Sequence, residues 1–188
     1  MKASILIVDD EKITRMDLKE ILNHSGYCVV GEAKDGFEAI TLSKKLKPDL
    51  VIMDIKMPGL DGLTASQRIL KNGTASTVVL LTAYSDMEFI KVAKEIGALG
   101  YVVKPIDERF LIPTIELAIE NGKNKKKLVE EIDTISTKLK NRIIIDRAKG
   151  YLMTRDNLTE DQTYKELRKI SMDKRLPMAT IAEMLVGE

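Results

Sequence analysis

The stretch Ser4-Ile5-Leu6-Ile7-Val8-Asp9-Asp10 decides the fold: a short apolar run that ends abruptly on two adjacent acids. A run of this length, bounded by polar residues, reads as a strand buried on both faces. Two further runs end in the same manner. Leu50-Val51-Ile52-Met53 leads into Asp54, and Leu99-Gly100-Tyr101-Val102-Val103 leads into Lys104-Pro105. In a parallel α/β sheet the carboxyl ends of the strands share one edge, and ligands bind there. The three runs would therefore deliver three acids and one ammonium to a single pocket. Acids so close together repel one another, and their pKa values rise unless a cation lies among them. Mg²⁺ suits such a cage because it takes oxygen ligands and keeps several waters. With a lysine opposite, the cage can accept a phosphoryl group on one carboxylate.

Working outward, strand and helix patterns alternate over the first 120 or so residues, which implies βαβ units. The expected strands are Ser4–Val8, Cys28–Ala33, Leu50–Met53, Thr77–Thr82 and Leu99–Val103. The expected helices are Lys12–Asn23, with Ile13, Met16, Leu18, Ile21 and Leu22 on one face, and Asp35–Leu46, with Phe37, Ile40, Leu42 and Leu46. Leu63–Leu70 and Met87–Ile96 complete the set. The fold class is thus α/β: a flavodoxin-like, doubly wound, five-stranded parallel sheet with its pocket at the switch point. Gly59 and Gly62 let the backbone turn sharply after Asp54.

Composition narrows the classes further. Aromatic residues make up 4% and tryptophan is absent, so stacking alone cannot carry a nucleic-acid interface. The single cysteine, Cys28, excludes an intramolecular disulfide and a cysteine-rich zinc site, and its apolar run suggests a buried thiol. No apolar stretch has the length of a membrane span and no signal peptide precedes the first strand, so a soluble, cytoplasmic protein without membrane contact is expected. Charge is unevenly placed. Residues 1–121 hold 15 basic and 18 acidic side chains, whereas 122–150 hold 9 and 4. A basic segment beside an acidic domain either presents a solvated helix face or meets a polyanion.

The helical pattern that begins after Pro105 does not stop where a five-stranded domain would end. Pro113 marks its first turn or a kink. Beyond Gly122 and the basic run Lys123–Lys127, Leu128, Ile132, Ile135 and Leu139 recur at spacings of four, three and four, with Ile143 near the end. That is a coiled-coil seam. Such a stripe packs on its own domain or pairs with a second chain, and its highly charged flanks favour a homodimer. The expected domains are 1–121, a helical coiled-coil linker over 122–140, and a small all-α bundle over 141–188. In the bundle, Arg142–Met153 continues the long helix, with a start signal at Asn157 or Thr159. Thr163–Met172 is then a helix with Tyr164, Leu167 and Ile170 or Ser171 inward. Met178–Leu185 is another, with Ile181, Met184 and Leu185 apolar.

The combination of Asp9-Asp10, the D-x-K-M-P-G-x-D-G run from Asp54 to Gly62, Thr82-Ala83-Tyr84 and Lys104-Pro105 resembles the receiver domain of two-component response regulators. The resemblance implies that Asp54 is the phosphoacceptor, fed by a histidine kinase. It implies that Asp10 ligates Mg²⁺, that Asp9 does so directly or through water, and that the carbonyl of Lys56 is a further ligand beside Asp54. Thr82 and Tyr101 fall at the family's switch positions, Lys104 pairs with phosphoryl oxygens, and the Lys104–Pro105 bond is cis. The lone histidine, His24, is expected to be an exposed helix-end residue.

The tail resembles a second family, the ANTAR RNA-binding domain of antitermination regulators. The match lies in R-x-x-I-D-R-A-K-G-Y-L-M from Arg142 to Met153, L-T-E-D-Q-T-Y-K-E-L-R from Leu158 to Arg168, and Thr180-Ile181-Ala182. Domain order and length look most like the ethanolamine-utilisation antitermination regulators. The resemblance implies a hairpin-containing leader RNA as partner, and dimerisation on phosphorylation. Arg142, Arg147, Lys149, Gly150, Tyr164 and Arg168 supply cations, a close backbone approach and a ring for such a partner. The alternatives are a tail that binds DNA or only protein. No catalytic constellation occurs in the tail, so a metabolic enzyme is not expected.

Overall fold

The computed structural model describes residues 3–83 and 87–187, with the side chains of 87–90 set aside. Tyr84 and the side chain of Met87 lie outside the described residues. Five parallel strands, β1 (Ser4–Val8), β2 (Cys28–Ala33), β3 (Leu50–Asp54), β4 (Thr77–Thr82) and β5 (Gly100–Val103), form one sheet in the order β2-β1-β3-β4-β5. The reversal of order lies between β1 and β3, which carry the acids at their ends. Four helices alternate with the strands: α1 (Lys12–His24), α2 (Gly36–Leu46), α3 (Gly62–Lys71) and α4 (Met87–Ile96).

The period of two along each strand splits the core into two layers. Ile5, Ile7, Ile52, Val79 and Leu81 pack with Leu18 and Leu22 of α1. Leu6, Val8, Val51, Met53, Val78 and Leu80 pack with Ala39 of α2 and with Ala65 and Ile69 of α3. Each fully buried aliphatic side chain contributes about 1.5–3 kcal/mol of transfer free energy, so both faces of the central strands must be covered. Covering them places helices on both sides and leaves the carboxyl edge open.

Helix α5 runs from Glu108 to Asp156. Its first turns bury Leu111, Ile115, Ala118 and Ile119 against the sheet. Pro113 is its sixth residue, in the second turn, and the helix continues through it. From 123 to 143 every residue is exposed. The chain divides into two compact units, Met1–Lys127 and Leu128–Glu188. In the second, α6 (Glu160–Lys174) and α7 (Met178–Val186) close a small core with α5, made of Ile144, Ala148, Leu152, Leu167, Ala179, Ile181 and Ala182. Thr159 is the α6 N-cap, with a capping box to Gln162, and such a cap typically contributes ~1 kcal/mol.

Several sequence expectations are corrected. Cys28 is exposed, not buried, because it opens β2, the edge strand. Ile13, Met16 and Phe37 are exposed. Ile13 and Phe37 are second residues of helices that begin at the carboxyl edge, where little sheet lies beneath them. Tyr164 points outward while Leu167 fills the core, since i and i+3 cannot both sit at the centre of the narrow α6 contact. Met184 is exposed beside buried Ile181. Gly150 stands clear of its neighbours within the bundle: a Cβ added there would meet nothing within 4 Å.

Candidate functional site

Strand register brings the candidate residues to one edge. Val8 pairs with Met53, Asp54 with Leu81, and Thr82 with Val103. The ladder runs one residue further, from Lys104 N–H to the Thr82 carbonyl at 2.7 Å. Asp9, Asp54, Thr82 and Lys104 therefore converge because four strands end level. The Lys104–Pro105 bond is cis.

The carboxylates of Asp9, Asp10 and Asp54 offer oxygens within 4.8 Å of one another. Lys104 Nζ donates to Asp9 Oδ2 at 2.8 Å and lies 3.1 Å from Asp54 Oδ2. Asp9 is fully buried, Asp54 nearly so, and Asp10 is exposed. Burial pushes the Asp54 carboxyl above the usual carboxylate range, against the opposing pull of the Lys104 ammonium and with a further push from the Asp9 charge. For Lys104, burial pulls downward, but the hydrogen bond to Asp9 and the charges of Asp54 and Asp9 prevail, and its pKa is raised. Three carboxylates and one ammonium leave a balance of −2 (three negative, one positive), which a divalent cation neutralises. The donors are all hard oxygens. An acidic receiver-type pocket of this composition is typical of a Mg²⁺ site.

Beside the acids lies a cleft of about 60 Å³ lined by Asp54, Ile55, Lys56, Thr82, Ala83 and Lys104, with room for a small oxyanion over Asp54. Thr82 is buried and Tyr101 is half-exposed, 43% of its surface reaching solvent. Sequence reasoning passed over Arg15, whose Nη1 donates to the carbonyls of Asp9 at 2.7 Å and Asp10 at 3.3 Å. With the Glu11 N–H bonded to Asp9 Oδ1 at 2.9 Å, it holds the acid loop in shape. Its only sequence signal was a basic residue one helical turn past the acid pair. Gly62 is equally structural: an added Cβ would lie 1.9 Å from the Asp54 carbonyl oxygen, so the start of α3 can touch β3 only without a side chain.

In the second unit, Arg142, Arg147, Gly150, Tyr164 and Arg168 are exposed. Lys149 is different. Its ammonium lies 2.8 Å from Asp146 and 2.8 Å from Glu160, with 17% of its side chain exposed. It ties α5 to the start of α6. Leu128, Ile132, Ile135 and Leu139 are all exposed along α5.

The response regulator receiver domain family matches residues 5–116, and the ANTAR domain family matches 133–186. The chain is a response regulator. It is 42% identical over 182 residues to the transcriptional regulatory protein PdtaR of Mycobacterium tuberculosis, covering 97% of this chain and 88% of that one. Its receiver is similar to that of a modulated diguanylate cyclase from Desulfovibrio desulfuricans, with a TM-score of 0.61 and 30% identity over 66% of this chain and 99% of the other. A Borrelia burgdorferi CheY, in a complex described as CheX-CheY-BeF3-Mg, aligns with a TM-score of 0.58 and 30% identity over 60% of this chain and 86% of that chain. A receiver joined to an ANTAR domain is an antitermination regulator, not a metabolic enzyme. The receiver implies a histidine kinase partner, and the ANTAR domain implies RNA binding. Among the described residues no helix is long and apolar enough to cross a membrane.

Proposed function

We propose that this response regulator is a phosphorylation-activated antiterminator acting in the cytoplasm, in which phosphorylation of Asp54 promotes dimerisation and binding of a two-hairpin leader RNA. The observation that carries it is the pairing on one chain of an acid-lysine pocket, with Lys104 3.1 Å from Asp54, and an ANTAR module. Asp54, at the end of β3 beside an open cleft, forms the new P–O bond as the P–N bond of a phosphohistidine breaks. Mg²⁺, held by Asp9, Asp10, Asp54 and the Lys56 carbonyl, would supply neutralisation of charge on the phosphoryl oxygens; the Borrelia CheY complex carries Mg in its description. Lys104 follows the negative charge from Asp54 to the phosphoryl group. Thr82, lining the same cleft, turns its hydroxyl toward that group, and Tyr101 moves into the vacated space.

Dimerisation then uses Leu128, Ile132, Ile135 and Leu139. An exposed apolar stripe on a helix exposed on every side needs a partner. Two modules in one dimer make the second RNA contact intramolecular, which raises avidity by roughly 10²–10⁴. Arg142, Arg147, Lys149, Gly150, Tyr164 and Arg168 belong to the RNA-binding module. Ethanolamine-utilisation leaders are the first transcripts to test, on domain order and length. The test is an RNA gel shift with and without an acyl-phosphate donor, at two salt concentrations. Tight retention of two-hairpin RNA only after phosphorylation, with one-hairpin RNA held weakly in either state and all binding weakening with salt, is the expected result. Binding of duplex DNA instead, or of no nucleic acid, would return the tail to a DNA-binding or protein-binding role.

A further inference from the structure

The geometry points to the outer face of α6 as the surface that reads the RNA, with Lys165, Lys169 and Arg175 joining Tyr164 and Arg168. This rests on the RNA-binding reading above and assigns it to one face. At 100° per residue, Tyr164, Lys165, Arg168, Lys169 and Met172 fall on one side of the helix, opposite Thr163 and Leu167, which are buried, and Arg175 follows as the C-cap just past the last turn. All six are exposed. The face holds four cations, with Asp161 the one acid among them.

Ion pairing distinguishes this face from the neighbouring part of α5. There Lys149 is engaged by Asp146 and Glu160, Arg155 lies 2.6 Å from Asp156, and Arg142 lies 4.0 Å from Asp146. Their charge is already answered within the module. Among the described residues, Lys165, Arg168, Lys169 and Arg175 make no ion pair. Their charge is available to phosphates, and RNA phosphate is the complementary partner. Tyr164 stands beside Arg168 at i+4, a ring and a guanidinium plane on which an unpaired base can stack.

Arg175 adds an independent observation. It ends α6 with φ +53°, in the left-handed region. Glycine takes that conformation without cost, and an arginine there is strained. Its side chain makes no ion pair within the described residues.

The test uses the full chain with an acyl-phosphate donor and Mg²⁺. The probe is an RNA enriched by the wild-type chain from a pool of two-hairpin transcripts with randomised loops. If the wild type enriches nothing, the RNA-binding reading itself fails, and this assignment with it. Given a bound RNA, each lost phosphate contact lowers the slope of log affinity against log salt by about 0.7. The triple variant Lys165→Gln, Lys169→Gln, Arg175→Gln removes three cations from each of two modules and should therefore lose about 4 from the slope for the dimer, whereas Lys138→Gln with Lys140→Gln should leave it unchanged. Tyr164→Leu should weaken binding on the order of ten- to a hundred-fold, while Tyr164→Phe, which keeps the ring, stays within a few-fold. Arg175→Gly should raise the melting temperature yet weaken RNA binding, a split that no folding defect produces. A triple variant with wild-type slope, or a Tyr164→Leu chain that binds at full strength, overturns the assignment and leaves the face to an acidic protein.

Discussion

Gly62→Ala should disable the receiver through one methyl group. Gly62 is the first residue of α3, and its N–H bonds to the Ile55 carbonyl at 2.9 Å. A Cβ there would stand 1.9 Å from the Asp54 carbonyl oxygen, 2.8 Å from its carbon and 2.9 Å from Met53 Cγ. An ordinary carbon–oxygen contact is about 3.4 Å, so something must move by about 1.5 Å. Two of the three neighbours are backbone of a central strand, bonded on both sides and unable to yield. The cost should reach about 3–5 kcal/mol, at the upper end for overpacking, against a total domain stability of about 5–15 kcal/mol. Chain that does fold should carry Asp54 displaced and accept phosphate slowly. Hydrogen exchange of the β1 and β3 amides reads the stability, and acid-labile phosphate reads the site. Gly150→Ala is the control, because its Cβ meets open space; it should stabilise the helix by about 0.8–1 kcal/mol and leave Asp54 labelling intact. A Gly62→Ala chain with wild-type protection and labelling rate would refute the close-contact reasoning.

Lys104→Met should cost about 2–4 kcal/mol, because it leaves fully buried Asp9 without its cation; urea unfolding with and without Mg²⁺ should show part of the loss restored by the metal. The raised pKa of Asp54 has a defined sign: its contribution to stability is fully present below the unfolded pKa and is lost as pH rises through the higher folded value. Asp54→Asn should thus melt higher than wild type at neutral pH in chelator, with the gap closing in acid, and a lower melting temperature at pH 7 would contradict this. Ile132→Asp with Ile135→Asp should remain monomeric by sedimentation after phosphorylation, yet label normally at Asp54. Thr82→Ala should take phosphate but dimerise weakly, and dimerisation equal to wild type would count against the Thr82 switch.

The central strands β1, β3 and β4 were legible because they are buried on both faces. Such strands read as uninterrupted apolar runs, and each of these three stops on or just before a residue of the site. Helix faces were less legible. Ile13, Met16 and Phe37 satisfy a helical apolar period and yet lie in solvent, since periodicity reports which residues share a face and not where the sheet beneath ends. Cys28 was misread for a related reason: an edge strand and a central strand can carry the same apolar sequence, and only the order β2-β1-β3-β4-β5 separates them. Arg15 carried only the weak signal of a basic residue soon after the acid pair, because its bonds go to main-chain carbonyls, which any sequence provides.

The second unit shows what residue type alone leaves open. Lys149 and Arg168 are equivalent as letters, and the sequence offers both to a polyanion. Structure separates them by what already answers their charge. Lys149 sits between two carboxylates at 2.8 Å, and to reach a phosphate it must break both contacts and loosen α5 from α6. Arg168 lies on a face with nothing to surrender. Exchanging an internal ion pair for an external one returns little, because each new contact is offset by one lost. On the proposed reading, net attraction for RNA comes from cations that folding leaves unpaired, as on the outer face of α6 beside the one tyrosine of that helix.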